Sequence, residues 1–178
     1  MNHYLKNISL FFVLGIALLW SGCSGPKEFV MKETPSAPQA KDFPKDDAVY
    51  LLRRSNIRVS ADGLTFREDV HIQLKALNKW GARNLSRAVV YYNPTFTKVK
   101  NFHARIIRPK RWITKVKRPI DIPTISGKSK YFRSGRRKEA RLSNPLPGSV
   151  LEYRYTREGS TWSLSRHFFQ SNYPVINE

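Results

Sequence analysis

Apolar and polar residues alternate with a period of two along most of this chain. In 143–156, SNPLPGSVLEYRYT, Leu151, Tyr153 and Tyr155 alternate with Glu152, Arg154 and Thr156. That spacing predicts a strand with one apolar and one wet face. Pro147-Gly148 before it suits the centre of a type II turn, since the ring presets φ and glycine accepts a positive φ. Such a strand needs a partner on each edge and a second layer over its apolar face. A longer alternation places Leu64, Phe66, Val70, Ile72 and Leu74 on one parity, with His71, Gln73 and Lys75 on the other. Glu68 is the exception on the apolar side, and a bulge or bend is expected there. Ala61-Asp62-Gly63 before it reads as a hairpin loop.

The same reading gives shorter elements. Residues 49–52 fit a strand or a helical turn. Ile57 and Val59 alternate with polar neighbours. Residues 78–84, around Trp80-Gly81, read as a connection, and 88–92 as a strand stopped by Asn93-Pro94. Phe102, Ala104 and Ile106 form one alternating set, and Trp112, Thr114 and Val116 another. Residues 118–137 read as a long basic loop, and 161–170 as a late strand with Trp162, Leu164 and Phe168 on one side. The total is about seven to nine strands with no convincing amphipathic helix, which predicts an all-β fold: an antiparallel β-sandwich or a partly open barrel.

The N-terminal pattern is different. Residues 10–20, LFFVLGIALLW, are almost wholly apolar and follow Lys6. The run is shorter than the roughly 20 residues a spanning helix needs and fits the apolar centre of an export signal. Ser21-Gly22-Cys23 closes it and resembles a bacterial lipoprotein signal; Trp20 departs from the aliphatic residue usual at that position. The expectation is a signal peptide over 1–22, lipidation of Cys23, and an exported, membrane-anchored protein of the bacterial cell envelope. Ser24 after the cysteine favours the outer membrane if the cell is Gram-negative. Residues 23–47 carry Pro26, Pro35, Pro38 and Pro44 without an apolar period, so a disordered tether is expected there, with the folded domain over 48–178.

Charge then narrows the choice of partner. Lys plus Arg number 32 against 13 Asp plus Glu, a formal +19 in 178 residues. Fifteen of those cations, against two acids, fall between Lys100 and Arg141, a local +13. Lys128, Lys130, Arg133, Arg136, Arg137 and Lys138 form a candidate anion-binding surface, with Tyr131 and Phe132 as candidate aromatic contacts. On an exported protein these residues point to anionic lipid or polysaccharide. In the cytoplasm they would suit single-stranded nucleic acid, a disfavoured partner here. The plain alternative is a solvated charge run.

Candidate chemistry is sparse. Cys23 is the one cysteine, which excludes an intrachain disulfide. His71, His103 and His167 are isolated on strands, without the second and third groups that a metal site requires. Glu68 and Glu152 read as strand residues rather than an acid–base pair. No catalytic residue, metal or cofactor is expected.

Several segments in order carry a family resemblance. They are Asp62-Gly63 before the long strand, Lys79-Trp80-Gly81, 104–109 (ARIIRP), 146–153 (LPGSVLEY) and Tyr173-Pro174-Val175. Together, 48–178 resembles the bacterial domain of unknown function that precedes transglutaminase-like domains in envelope proteins. Lys110-Arg111 stands where that family usually has Asp-Gly. The resemblance implies a β-sandwich without catalytic residues of its own. It also implies a transglutaminase-like partner with a Cys-His-Asp set, for which this chain has no counterpart. Three functions follow in order: a non-enzymatic, lipid-anchored binding or scaffolding domain; the accessory domain of a transglutaminase-like peptidase or transferase; and a basic nucleic-acid-binding module.

Overall fold

The computed structural model describes residues 38–116, 118–124, 135–163 and 173–176. They belong to a unit beginning at Pro38. Among the described residues, eight strands form two antiparallel sheets, and there is one short α-helix. Strands β1 (Ala48–Val59), β2 (Thr65–Ala76), β4 (Thr97–Ile107), β5 (Ile113–Lys115) and β8 (Val150–Ser160) form the larger, in the order β1-β2-β8-β4-β5. Strands β3 (Arg87–Tyr92), β6 (Ile120–Pro123) and β7 (Arg136–Arg141) form the smaller, in the order β3-β7-β6. The architecture is sandwich-like, not a closed barrel.

Strand β8 is central, paired with β2 on one edge and β4 on the other, as its alternation requires. Leu151 lies opposite Leu74 and Ile106, and Tyr153 opposite Ile72 and Ala104. This face meets Ala88, Val90 and Ala140 of the smaller sheet, and Leu142 just after β7, in one core. The rings of Tyr153 and Tyr155 lie nearly parallel at 6.5 Å, and each meets Phe102 edge-on at 6.4 Å. Burial pushes the Tyr153 phenol well above its ordinary range and that of Tyr155 to about 12.

Turn chemistry agrees with the sequence at two loops. Gly148 has φ +82°, and Ser149 N–H donates to Leu146 O across the Pro147-Gly148 turn. Gly63 has φ +71° in the β1–β2 loop. At Lys110-Arg111, which stand where the resembled family usually has Asp-Gly, Lys110 itself takes φ +70°.

Five expectations change. Residues 38–47 pack on the domain: Phe43 covers Val49, Leu51, Leu77 and Val150, and Lys75 Nζ donates to Pro38 O. Residues 78–84 hold a short helix, α1 (Lys79–Asn84), because the Asn78 side chain accepts from the N–H groups of Trp80 and Gly81. Glu68 causes no bulge. The β2–β8 register is continuous, Glu68 lies opposite Arg157, and Arg157 Nη2 meets Glu68 Oε2 at 2.6 Å over the Phe66 ring. The irregularities fall instead at Leu51 in β1 and near Asn101 in β4, where Asn101 has φ +51°. Leu64 lies outside β2 and is exposed. Trp162 occupies a short 3-10 turn, Thr161–Ser163, not a strand. The expected strand positions Leu164 and Phe168, and also His167, lie outside the described residues. Tyr173–Ile176 contributes one parallel bridge, Val175 to Tyr50.

Candidate anion-binding face

The larger sheet turns its second face away from the core, and cross-strand register fixes what it displays. Read across β1, β2, β8 and β4, one rung is Arg58, Arg67, Glu158 and Lys98. The next carries Asn56, Asp69, Thr156 and Lys100. A third brings Arg54, His71, Arg154 and His103 side by side. A fourth holds Gln73, Glu152 and Arg105. These four rungs therefore hold seven Arg or Lys against three acids, a formal +4.

Each acid is held by neighbouring cations. Glu152 is the deepest, its side chain 1% exposed. Arg105 Nε donates to its Oε2 at 2.5 Å, and Gln73 Nε2 to its Oε1 at 3.1 Å. His71 Nε2 lies 2.7 Å from that same Oε1, with Arg154 behind it at 3.9 Å. Burial alone would raise the Glu152 pKa. The hydrogen bonds from His71, Gln73 and Arg105, with the Arg105 charge, outweigh it and hold the carboxyl below its usual range. Asp69 bridges Arg58 and Arg67 and accepts from Thr156. Glu158 bridges Arg67 and Lys100. Arg54 and Lys98 are exposed and make no ion pair among the described residues.

This corrects two sequence readings. His71 is not isolated, since the fold brings Glu152 to it from 81 positions away. Glu152 and Gln73 are not idle surface positions. The signal was in the sequence, in the polar parity of two strands, but it becomes a site only when β2 and β8 are known to be neighbours.

Within the proposed basic loop, 118–137, β6 takes up Ile120–Pro123 and β7 begins at Arg136. Arg136, Arg137 and Lys138 lie on β7, where alternation sends them to opposite faces. Arg136 Nε donates to Asp121, Arg137 pairs with Glu139, and Lys138 Nζ reaches the Val99 carbonyl. Lys128, Lys130, Arg133, Tyr131 and Phe132 lie outside the described residues, as does Cys23.

At one end of the larger sheet, an open groove of about 550 Å³ lies between charged and apolar walls. Arg58, Arg67, Lys98 and Glu158 line it together with Val59 and Phe96. The Trp162 ring packs edge-on against Phe96 at 4.2 Å.

The family follows from a broad match. The model of a domain of unknown function with a solved structure, DUF3857, matches residues 64–178. The chain belongs to the DUF3857 family. The match begins after β1, so the β1 edge and the 38–47 segment extend the DUF3857 region on its N-terminal side. Among solved structures, a Parabacteroides distasonis ATCC 8503 chain described as a "putative protease" superposes with a TM-score of 0.55 at 16% identity. The alignment covers 64% of this chain and 23% of that one, so the two share a fold over a small part of the longer molecule. A CBM3a-L domain with flanking linkers, from a cellulosome scaffoldin of Clostridium thermocellum, aligns over 74% of this chain and 79% of its own. Its identity is 11% and its TM-score 0.35, too distant to bear on the DUF3857 fold. No curated protein matches the chain.

Proposed function

We propose that this chain is a non-enzymatic, lipid-anchored binding domain of the bacterial cell envelope that presents a basic surface to anionic partners. The observation that carries the reading is the outer face of the larger sheet, a formal +4 spread over four strands with its three acids already engaged. Such a face attracts polyanions through its unmatched cations. The buried carboxylates argue against acid–base chemistry. Glu152 is enclosed by donors and held below its usual pKa, the wrong direction for a base working near neutrality. Glu68 is locked to Arg157. Anchoring rests on the apolar run ending at Ser21-Gly22-Cys23.

Two measurements test it. Metabolic labelling with a fatty-acid analogue should mark the wild-type protein and not Cys23→Ala; equal labelling removes the anchor. Retention of the chain on a polyphosphate matrix should fall steeply as salt rises and weaken in Arg54→Gln/Lys98→Gln. Salt-insensitive retention would remove the basic face as the binding surface.

A second reading is supported by the length of the Parabacteroides distasonis chain, of which the shared region is 23%. In it, this domain is the accessory part of a transglutaminase-like peptidase or transferase. Co-purification with a protein bearing a Cys-His-Asp set, dependent on this domain, would favour it.

A further inference from the structure

The end of the larger sheet that holds the groove also gathers large apolar side chains on its surface. Val59 and Leu64 flank the β1–β2 loop and are 53% and 66% exposed. Trp162 is 69% exposed and Phe96 is 37% exposed. They come from three separate connections, and hydrogen bonds and ring packing hold those connections together. Thr161 N–H and Oγ1 both donate to the Leu64 carbonyl, and Thr161 Oγ1 also donates to Gly63 O. Ser163 Oγ donates to Ser160 O at 2.6 Å, and the Phe96 connection is joined to this group by its ring packing on Trp162 at 4.2 Å. The loop is itself rigid: Asp62 accepts from Ser60 Oγ and from Leu64 N–H, and Gly63 N–H donates to Ser60 O. Leu64 is thus held in an outward position rather than left mobile.

We propose that this end of the sheet docks into the headgroup layer of an anionic lipid bilayer, with Leu64, Val59, Phe96 and Trp162 entering the interface. The proposal rests on the envelope reading above and names the anionic partner. Charge placement selects this occupant. Arg58, Arg67 and Lys98 line the groove beside the apolar tip, and the basic rungs continue from them along the outer face. A second copy of this chain would bring like charges together at that end. A bilayer offers both a hydrocarbon boundary for the apolar side chains and phosphates for the cations. An exposed tryptophan beside aliphatic tips suits the interface, where its ring lies at headgroup level and its N–H stays wet.

The test uses the full chain reconstituted with vesicles of zwitterionic lipid, or with about 30% anionic lipid, carrying brominated acyl chains. The Trp162 signal is taken as the difference between wild type and Trp162→Phe. Bromolipid should quench that signal in anionic vesicles and leave it nearly unchanged in zwitterionic ones. Leu64→Ser/Val59→Ser should reduce the quenching, and Lys98→Gln should weaken it by about fivefold at low salt. Far-UV circular dichroism of each variant checks the fold. If the chain sediments with anionic vesicles while Trp162 stays unquenched, docking is overturned and the basic-face reading survives. If Cys23→Ala retains the acyl label but Trp162 is quenched, the anchor fails and docking stands. Quenching of Trp162 by a soluble acidic polymer with none by bromolipid would overturn the bilayer as the occupant.

Discussion

Glu152 shows how much one side chain can carry on a face that looks solvated in the sequence. Its carboxylate is the common acceptor for His71, Gln73 and Arg105. Removing it takes from the Arg105 guanidinium, 11% exposed, the carboxylate that its Nε donates to. Glu152→Gln should therefore cost about 3 kcal/mol, and Glu152→Lys more, read from the urea midpoint at constant slope. Because the folded pKa of Glu152 is depressed, its contribution is complete above the unfolded carboxylate pKa and disappears as pH falls through the folded value. Wild type should lose stability through that acid window faster than Glu152→Gln; equal acid slopes would contradict the assignment. Inside the sandwich, Tyr153→Lys should unfold the domain, since an unpaired ammonium there costs several kcal/mol. Arg54→Gln, an exposed position in the rung beside Glu152, should leave the melting temperature almost unchanged.

Among the elements, the small helix α1 depends on one glycine. A Cβ built on Gly81 would lie 1.9 Å from the Asp47 carbonyl oxygen, a backbone atom. Asp47 is fixed there by Leu77 N–H on its carbonyl and by Asn78 Nδ2 on its side chain. Gly81→Ala should cost about 1–3 kcal/mol or more by calorimetry, because backbone must move. Gly63→Ala meets no atom within 4 Å and pays only for φ +71°, about 1 kcal/mol. A Gly81→Ala protein as stable as Gly63→Ala would mean the contact is not as described. The long alternating strands were legible in the sequence because period two survives wherever one sheet face is buried. Strand β7 was not, since its residues RRKEAR hide a buried Ala140 and a nearly buried Glu139 among cations that salt-bridge within the sheet. Helix α1 was too short to show a period. The acidic–basic face escaped notice because it depends on which strands are neighbours, and the apolar end because Leu64 and Trp162 fit an alternating pattern that their loops do not continue.

At the scale of the whole domain, both sheets carry excess positive charge among the described residues, since Glu139 on the smaller sheet is flanked by Arg137 and Arg141 much as Glu152 is by cations on the larger. Binding of the chain to any polyanion should therefore decline with salt as a property of many weak contacts, with each single charge removal weakening it by about fivefold at most. The position of β8 has another consequence, in time rather than in space. The middle strand of the larger sheet is Val150–Ser160, yet its neighbours β2 and β4 lie far upstream. During synthesis, β2 and β4 emerge without the strand that joins them, and the hairpin β1–β2 has an apolar face with nothing to cover it. The sheet can close only when the late strand inserts between two early ones. That ordering implies slow, non-local folding, on the order of milliseconds to seconds. It also leaves the larger sheet without its middle strand for most of the chain's synthesis. Pulsed hydrogen exchange during refolding should show amides of β2 and β4 gaining protection together with those of β8, and not before.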